Sequence, residues 1–412
     1  MIDIFVNMFK NTLFLFFLIT IQFLNAQNIK TIQLRPLQEN NFSAIVPLGT
    51  VLELSFDDLD ADSKSYQYKI EHMTHDWQKS RLLSSQYIDG FDQNTIINVT
   101  NSFNTVQNYT HYSVQIPNTN SIITKSGNYL LSVLDSYDDV VFTRRFVLYE
   151  NAAIIGVSVA RSRNTKTLNT QQTVQFSVNH PDIRITNPSQ EINVSIIKNY
   201  NWNETITDLQ PTFFKPNQLL YTYTNKTNFW GGNEYLNFDS KVIRSRSVNI
   251  VKITNNNLFN LYIYPFTYNP FREYTYNPDI NGQFVIRTLE ANDPKTEADY
   301  AVMHFILEAE VPFKDKEVYV YGAFNNFEIS EENKMYYNEE SQTYNASILL
   351  KQGFYNYTFA TLGKDNFVNT NEINGTFFET ENVYNVLVYY KPFGSLYDRV
   401  IGVGTGFFNQ NR

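Results

Sequence analysis

The sequence predicts an all-β protein built from tandem antiparallel β-sandwiches, and three observations predict it. Apolar and polar residues alternate with a period of two at Leu52, Leu54 and Phe56, at Tyr66, Tyr68 and Ile70, and at Val174, Phe176 and Val178; the pattern returns at Ile192, Val194 and Ile196 and at Tyr355, Tyr357 and Phe359. Successive side chains on a strand point to opposite faces, so this is the pattern of sheets with one dry face. Turn-forming clusters punctuate the runs at Asp57–Ser63, Asn118–Ser121, Ser126–Asn128, Thr186–Ser189 and Asn255–Asn257, as the short strands of sandwiches require. The composition agrees: 33 Phe and 29 Tyr, with only 18% charged residues, favour pleated, half-buried surfaces over helices.

The first element is a leader. Leu13–Leu24 is an apolar run too short to span a bilayer, which takes about 20 residues; Lys10 precedes it and a small-residue cleavage site follows at about Ala26/Gln27. Residues 1–26 therefore read as a secretory signal peptide, removed from the mature chain. The acidic opening suits a basic n-region poorly, which leaves Met1 and Met8 as alternative starts. Cleavage removes Asp3 and Lys10, one charge of each sign, so the net charge of −9 is unchanged. That acidity argues against nucleic-acid partners and against binding anionic membranes. No later apolar run approaches the length of a membrane-spanning helix, and no direct membrane insertion is expected. A closed outer-membrane barrel needs strands of about ten residues with aromatic girdles; shorter strands, frequent polar loops and nearby prolines speak against it.

Three sandwiches fit the remaining length, at about 100–200 residues per domain. The first occupies 27–150 and closes with Gly127–Leu134, a turn at Asp135–Asp139 and Thr143–Tyr149, the last two strands of an Ig-like unit. The second occupies 151–287. The third, 288–412, begins in a polar linker, Glu290–Asp299.

The chemistry-bearing patterns are weak. An absence of cysteine excludes disulfides, thiolate zinc sites, iron–sulfur clusters and cysteine nucleophiles. His72 and His75 form an H-x-x-H, but beside a strand that spacing faces opposite sides, and a surface or edge role is expected. Ser195–Lys198 matches S-x-x-K inside an alternating strand, without the partner motifs of that enzyme class. Gly402–Gly406 looks like a phosphate loop, yet no helix follows it, so it reads as a tail or bulge. No catalytic, cofactor or metal residues are assigned, and no enzymatic activity is expected.

Two resemblances remain. Val318–Phe327 is a strand running into Gly-x-Phe-Asn-Asn-Phe, followed by Tyr344–Leu350 and Gly353–Phe359. It resembles the early-set sandwich of starch- and glycogen-binding modules, which implies Phe324 and Phe327 as a glycan platform. Phe327 stands where such modules carry Trp, whose indole offers the larger stacking face. The alternative function on this resemblance is a periplasmic or surface glycan-binding protein.

The sharper set lies in the first unit. Tyr66–His72 leads to Asp76-Trp77, Ser80 and Tyr87-Ile-Asp-Gly90-Phe91, then to Ser102–Thr105, Tyr109-Thr-His111-Tyr112 and Pro117. This ordered set resembles the N-terminal signature of the type IX secretion system plug protein of the Bacteroidetes, and Asn233–Asp239 followed by Arg244 agrees in outline. The resemblance implies a non-enzymatic periplasmic stopper. It would close the inner mouth of an outer-membrane translocon barrel when no cargo passes, acting as a monomer in a hetero-complex. Asp76, Trp77, Tyr87, Gly90, Phe91 and His111 are the signature and possible interface residues. Locally, Trp77 is expected to anchor a strand end, Asp76 to turn the chain, Gly90 to serve a tight turn, and His111 to find hydroxyl or backbone partners.

Overall fold

The computed structural model describes residues 28–38 and 41–408; the expected signal peptide lies outside the described residues. Nearly all the regular structure of the described residues is strand, with three α-helices of four residues each, Ser84–Tyr87, Pro188–Glu191 and Pro294–Glu297.

The first unit is a two-sheet sandwich. One sheet orders Ile29–Pro36, Leu52–Asp58, Thr110–Ile116 and Asn98–Asn101; the facing sheet orders Ile45–Pro47, Val140–Tyr149, Gly127–Leu134, Gln67–Met73 and Gln93–Thr95. The alternating residues meet between them, so that Leu54, Phe56, Tyr68, Ile70, Tyr112, Tyr129 and Phe146 form one core. The hairpin expected at Gly127–Tyr149 is present and antiparallel. The first strand carries a bulge between Lys30 and Gln33, with Thr31 in the left-handed region at φ 54°.

The boundary expected at 287/288 needs correction, because strand pairing crosses it in both directions. Ile192–Lys198 pairs along its whole length with Asn382–Tyr390, which in turn pairs with Arg399–Phe408. These strands form the sheet that faces Ile154–Arg161, Gln171–Asn179, Gln218–Tyr221 and Phe213–Lys215. Val174, Phe176, Val194, Ile196, Tyr384 and Val386 fill the space between. The middle unit is therefore closed by the last hairpin of the chain.

The third unit is inserted into the second. Its strands run from Leu236–Asp239 to Gly353–Leu362 and Val368–Asn369, and Phe284–Ile286, assigned from sequence to the middle unit, pairs with Gly353–Tyr355. The sheet is continuous because Lys334–Asn338 changes layers: its first two residues pair with Val318 and Tyr319, the rest with Thr343–Asn345. Phe238, Leu261, Met303, Phe305, Val320, Tyr355 and Phe359 lie in its core.

The glycines of the last strand begin at a bulge, as expected: the register of Arg399–Phe408 against Asn382–Tyr390 shifts between Val400 and Gly402. Beyond it the strand packs on Ile154–Arg161. A Cβ on Gly402 would lie 2.6 Å from the Ala153 carbonyl oxygen, and one on Gly404 would lie 2.7 Å from Ile155. Only glycine allows this approach of two backbones.

Candidate functional site

The signature residues of the first unit lie mostly at two joints, one with each of the other units. At the first joint, the strand Gln67–Met73 ends in a turn closed by Trp77 N–H donating to the Thr74 carbonyl at 3.0 Å. The Thr74 hydroxyl donates to Asp76. Trp77 takes φ 64°, which throws its indole out of the first sandwich. There it meets Trp202 edge-on at 4.9 Å between ring centres, and the Arg145 guanidinium lies 4.7 Å above it, a favourable cation–π placement. Beneath them Ile45 and Val147 pack on Ile197, Leu387, Tyr389 and Val400.

Polar contacts frame that patch. Backbone N–H of His75 donates to Asp398 at 3.1 Å, and its ring Nδ1 lies 3.5 Å from the same carboxylate. Hydrogen bonding to Asp398 raises the His75 pKa above its ordinary value. Burial alone pushes the Asp398 carboxyl up, but the His75 hydrogen bonds and the Lys391 charge outweigh it and hold it low. Glu150 takes a two-pronged contact from Arg399, at 2.6 and 3.2 Å. The surface or edge role expected of the two histidines fails for His72 alone, since His75 stays partly exposed: His72 is buried, with its ring 5.6 Å from that of Tyr397, and burial lowers its pKa to about 4, so it stays neutral.

The second joint is drier. Asp57 is wholly buried. One carboxylate oxygen lies 2.6 Å from His111 Nδ1; the other accepts from the Tyr300 hydroxyl and from Lys351 Nζ, each at 2.7 Å. His111 thus finds a carboxylate, where hydroxyl or backbone partners were expected. Lys351 is 1% exposed at its side chain, also donates to the Lys295 carbonyl at 2.7 Å, and lies 4.0 Å over the Tyr109 ring. Burial lowers its pKa, with Asp57 opposing. The bulge at Thr31 brings that hydroxyl to 2.6 Å from Tyr300.

The segment expected as a polar linker is part of this joint. Asp299 is buried and accepts from Val106 and Gln107 backbone N–H at 2.8 and 3.2 Å. Tyr109 donates to the Ala298 carbonyl at 2.8 Å. The signature between Ser102 and Tyr112 is therefore a docking loop for the inserted unit.

The remaining signature residues divide. Tyr87 is buried and donates to the Ile70 carbonyl at 3.3 Å. Gly90 has φ 108°, and a Cβ there would fall 2.3 Å from the Asn120 carbonyl oxygen. Asp76 and Phe91 are exposed, Phe91 at 70%.

The glycan platform needs correction. Phe327 is only 6% exposed, because its left-handed backbone (φ 54°) turns the ring onto Tyr321 at 5.5 Å. Asn203 of the middle unit ties down its carbonyl at 2.7 Å. Phe324 is half-buried, edge-on to Tyr355 at 5.9 Å. Neither ring stands free as a stacking face. Lys198 of the S-x-x-K match is buried against Glu204 and the Trp230 carbonyl.

Sequence reading also passed over Asp58, Asp60 and Asp62, whose carboxylates come close enough to hold a cation. Lys64 supplies that charge internally, 3.0 Å from Asp58 and 3.5 Å from Asp62. The alternation Asp-x-Asp-x-Asp-x-Lys was the available signal.

Fold and joints define a class: a multi-sandwich β-protein whose buried polar chemistry fastens its units to one another. Residues 29–150 match the family model described as type 9 secretion system plug protein, first domain. Over those residues the chain carries the first domain of that plug family. It is also similar, at 32% identity and a TM-score of 0.88, to the crystal structure of a hypothetical protein from Parabacteroides merdae, over 92% of this chain and 97% of that one. No curated protein matches it. Among the described residues no helix is long and apolar enough to cross a membrane.

Proposed function

We propose that the protein is a periplasmic plug that closes the inner mouth of the outer-membrane type IX translocon barrel while no cargo passes. The observation that carries this reading is the match of residues 29–150 to the plug first domain. The joints support it, because a stopper needs a body that keeps its shape under load. Buried hydrogen-bonded charges at one joint and an aromatic, ion-paired seam at the other fix the three units mutually. A gate must also release, so its partner surface is polar and of moderate affinity, and exposed Phe91 and Asp76 are the signature residues available to it.

Pull-down from detergent-solubilised outer membranes tests the partner: the barrel should co-purify with the full chain. Deletion of the gene in a strain with an intact translocon should raise permeability to bulky antibiotics. Unchanged permeability would sink the stopper reading.

A further inference from the structure

We propose that the cleft where the three units meet is a binding site for a dianionic oxyanion of the phosphate type. The cleft encloses about 280 Å³. Arg35 enters it from the first strand, and Arg144 and Arg145 from Val140–Tyr149; the middle unit adds Asn201 and Trp202, and the third adds Glu328.

The three arginines lack the carboxylate partners that two other arginines of the fold have. Arg287 and Arg399 are paired with Asp239 and Glu150 at 2.7 and 2.6 Å. Among the described residues, no carboxylate lies at ion-pair distance from Arg35, Arg144 or Arg145. Arg144 donates only to the carbonyl of its neighbour Thr143, at 2.8 Å. Burial lowers its pKa to about 10, opposed only by the more distant Glu328, so it stays cationic at neutral pH without a counter-ion. The carboxylate nearest in influence to Arg35, Glu53, is itself paired with Lys295 at 2.8 Å.

Unpaired charges in a partly enclosed space are costly unless a ligand completes them. Guanidinium forks match phosphate oxygens in pairs, and such contacts are the stronger kind of hydrogen bond. Three guanidinium charges less the Glu328 carboxylate leave a surplus of two, the charge of a phosphate dianion. Arg144 also lines an adjoining cavity of about 230 Å³, which gives room for a substituent on the phosphate. The site stands independently of whether the chain closes a barrel.

The test is calorimetric titration of the full mature chain with inorganic phosphate at fixed ionic strength, beside acetate. Saturable 1:1 phosphate binding is expected, with acetate at least about tenfold weaker. The Arg35→Gln and Arg144→Gln variants should each lose about tenfold or more, while the exposed Arg246→Gln should match the wild type. Glu328→Gln, which removes a repelling charge and disturbs no arginine pairing, should bind about fivefold more tightly. No saturable binding, acetate equal to phosphate, or a Glu328→Gln protein with unchanged affinity would each overturn the site.

Discussion

The two joints of the first unit solve one mechanical problem with different physics. The seam with the middle unit is aromatic and half-wet: Trp77, Trp202 and Arg145 stack at its rim, and its ion pairs keep one solvent-facing side. The seam with the inserted unit places a carboxylate, an ammonium group, an imidazole and a phenol in one dry cluster. The first kind tolerates small slips, because stacking energies vary gently with geometry. The second does not, because a buried charge that loses its partner carries the whole desolvation cost. One seam is compliant and the other holds a single geometry.

That contrast can be broken by mutation, and the largest effect belongs to the dry seam. Asp57→Ala leaves Lys351 buried without its counter-charge and should cost about 3–5 kcal/mol, read as the urea midpoint of the inserted unit. The pair Asp57→Ala with Lys351→Met should recover much of that loss; if the double variant were as weak as the single one, the charge account would be wrong. Trp77→Ala should cost less, about 2–3 kcal/mol, since the indole is only partly buried. Because Trp77 touches Trp202, near-ultraviolet circular dichroism follows the wet seam, and that signal should survive in Asp57→Ala. Tyr300→Phe removes the hydrogen bond to Asp57, which keeps two other partners, and the one shared with the Thr31 hydroxyl, so about 2 kcal/mol is expected in the same unfolding experiment.

The smallest effect is a pH dependence confined to the wet seam. His75 has a raised pKa, so its contribution is full below the unfolded value near 6.5 and fades as pH rises through the folded value. Asp398 has a lowered pKa, so its contribution is present above its unfolded value near 3.8 and is lost as pH falls through the folded one. The seam is therefore firmest between those limits. His75→Asn should remove the alkaline limb of the profile, measured as unfolding midpoint against pH.

Much of the fold was legible because strand alternation is a local property. Leu52–Phe56, Val174–Val178 and Ile192–Ile196 each declared a strand and a buried face, and the structure buries them. Pairing is not local. Nothing in Asn382–Tyr390 says that its partner is Ile192–Lys198 instead of the strands just before it. The division at 287/288 failed for that reason. The joints were illegible on the same ground: Asp57 meets Lys351 across 294 positions, and His111 among tyrosines gives no sign that a carboxylate faces it. Phe327 misled differently, because its left-handed backbone reverses the ring relative to what the motif suggests. Trp77 and Gly90 were legible as special residues, but which surface they served was not.

The last hairpin, Asn382–Phe408, has a consequence for how the molecule comes into being. Chain synthesis is vectorial, and the first unit can close as soon as Tyr149 has emerged, since its strands pair only with each other. The middle unit cannot. Its strand Ile192–Lys198 waits with one edge unpaired while the whole inserted unit passes and folds. Exposed strand edges are templates for wrong pairing, and nonlocal closure is slow. Maturation therefore has a fixed order, with the middle of the chain completed last, and the glycines of Arg399–Phe408 are what let that final strand slide into a space already shaped by Ile154–Arg161.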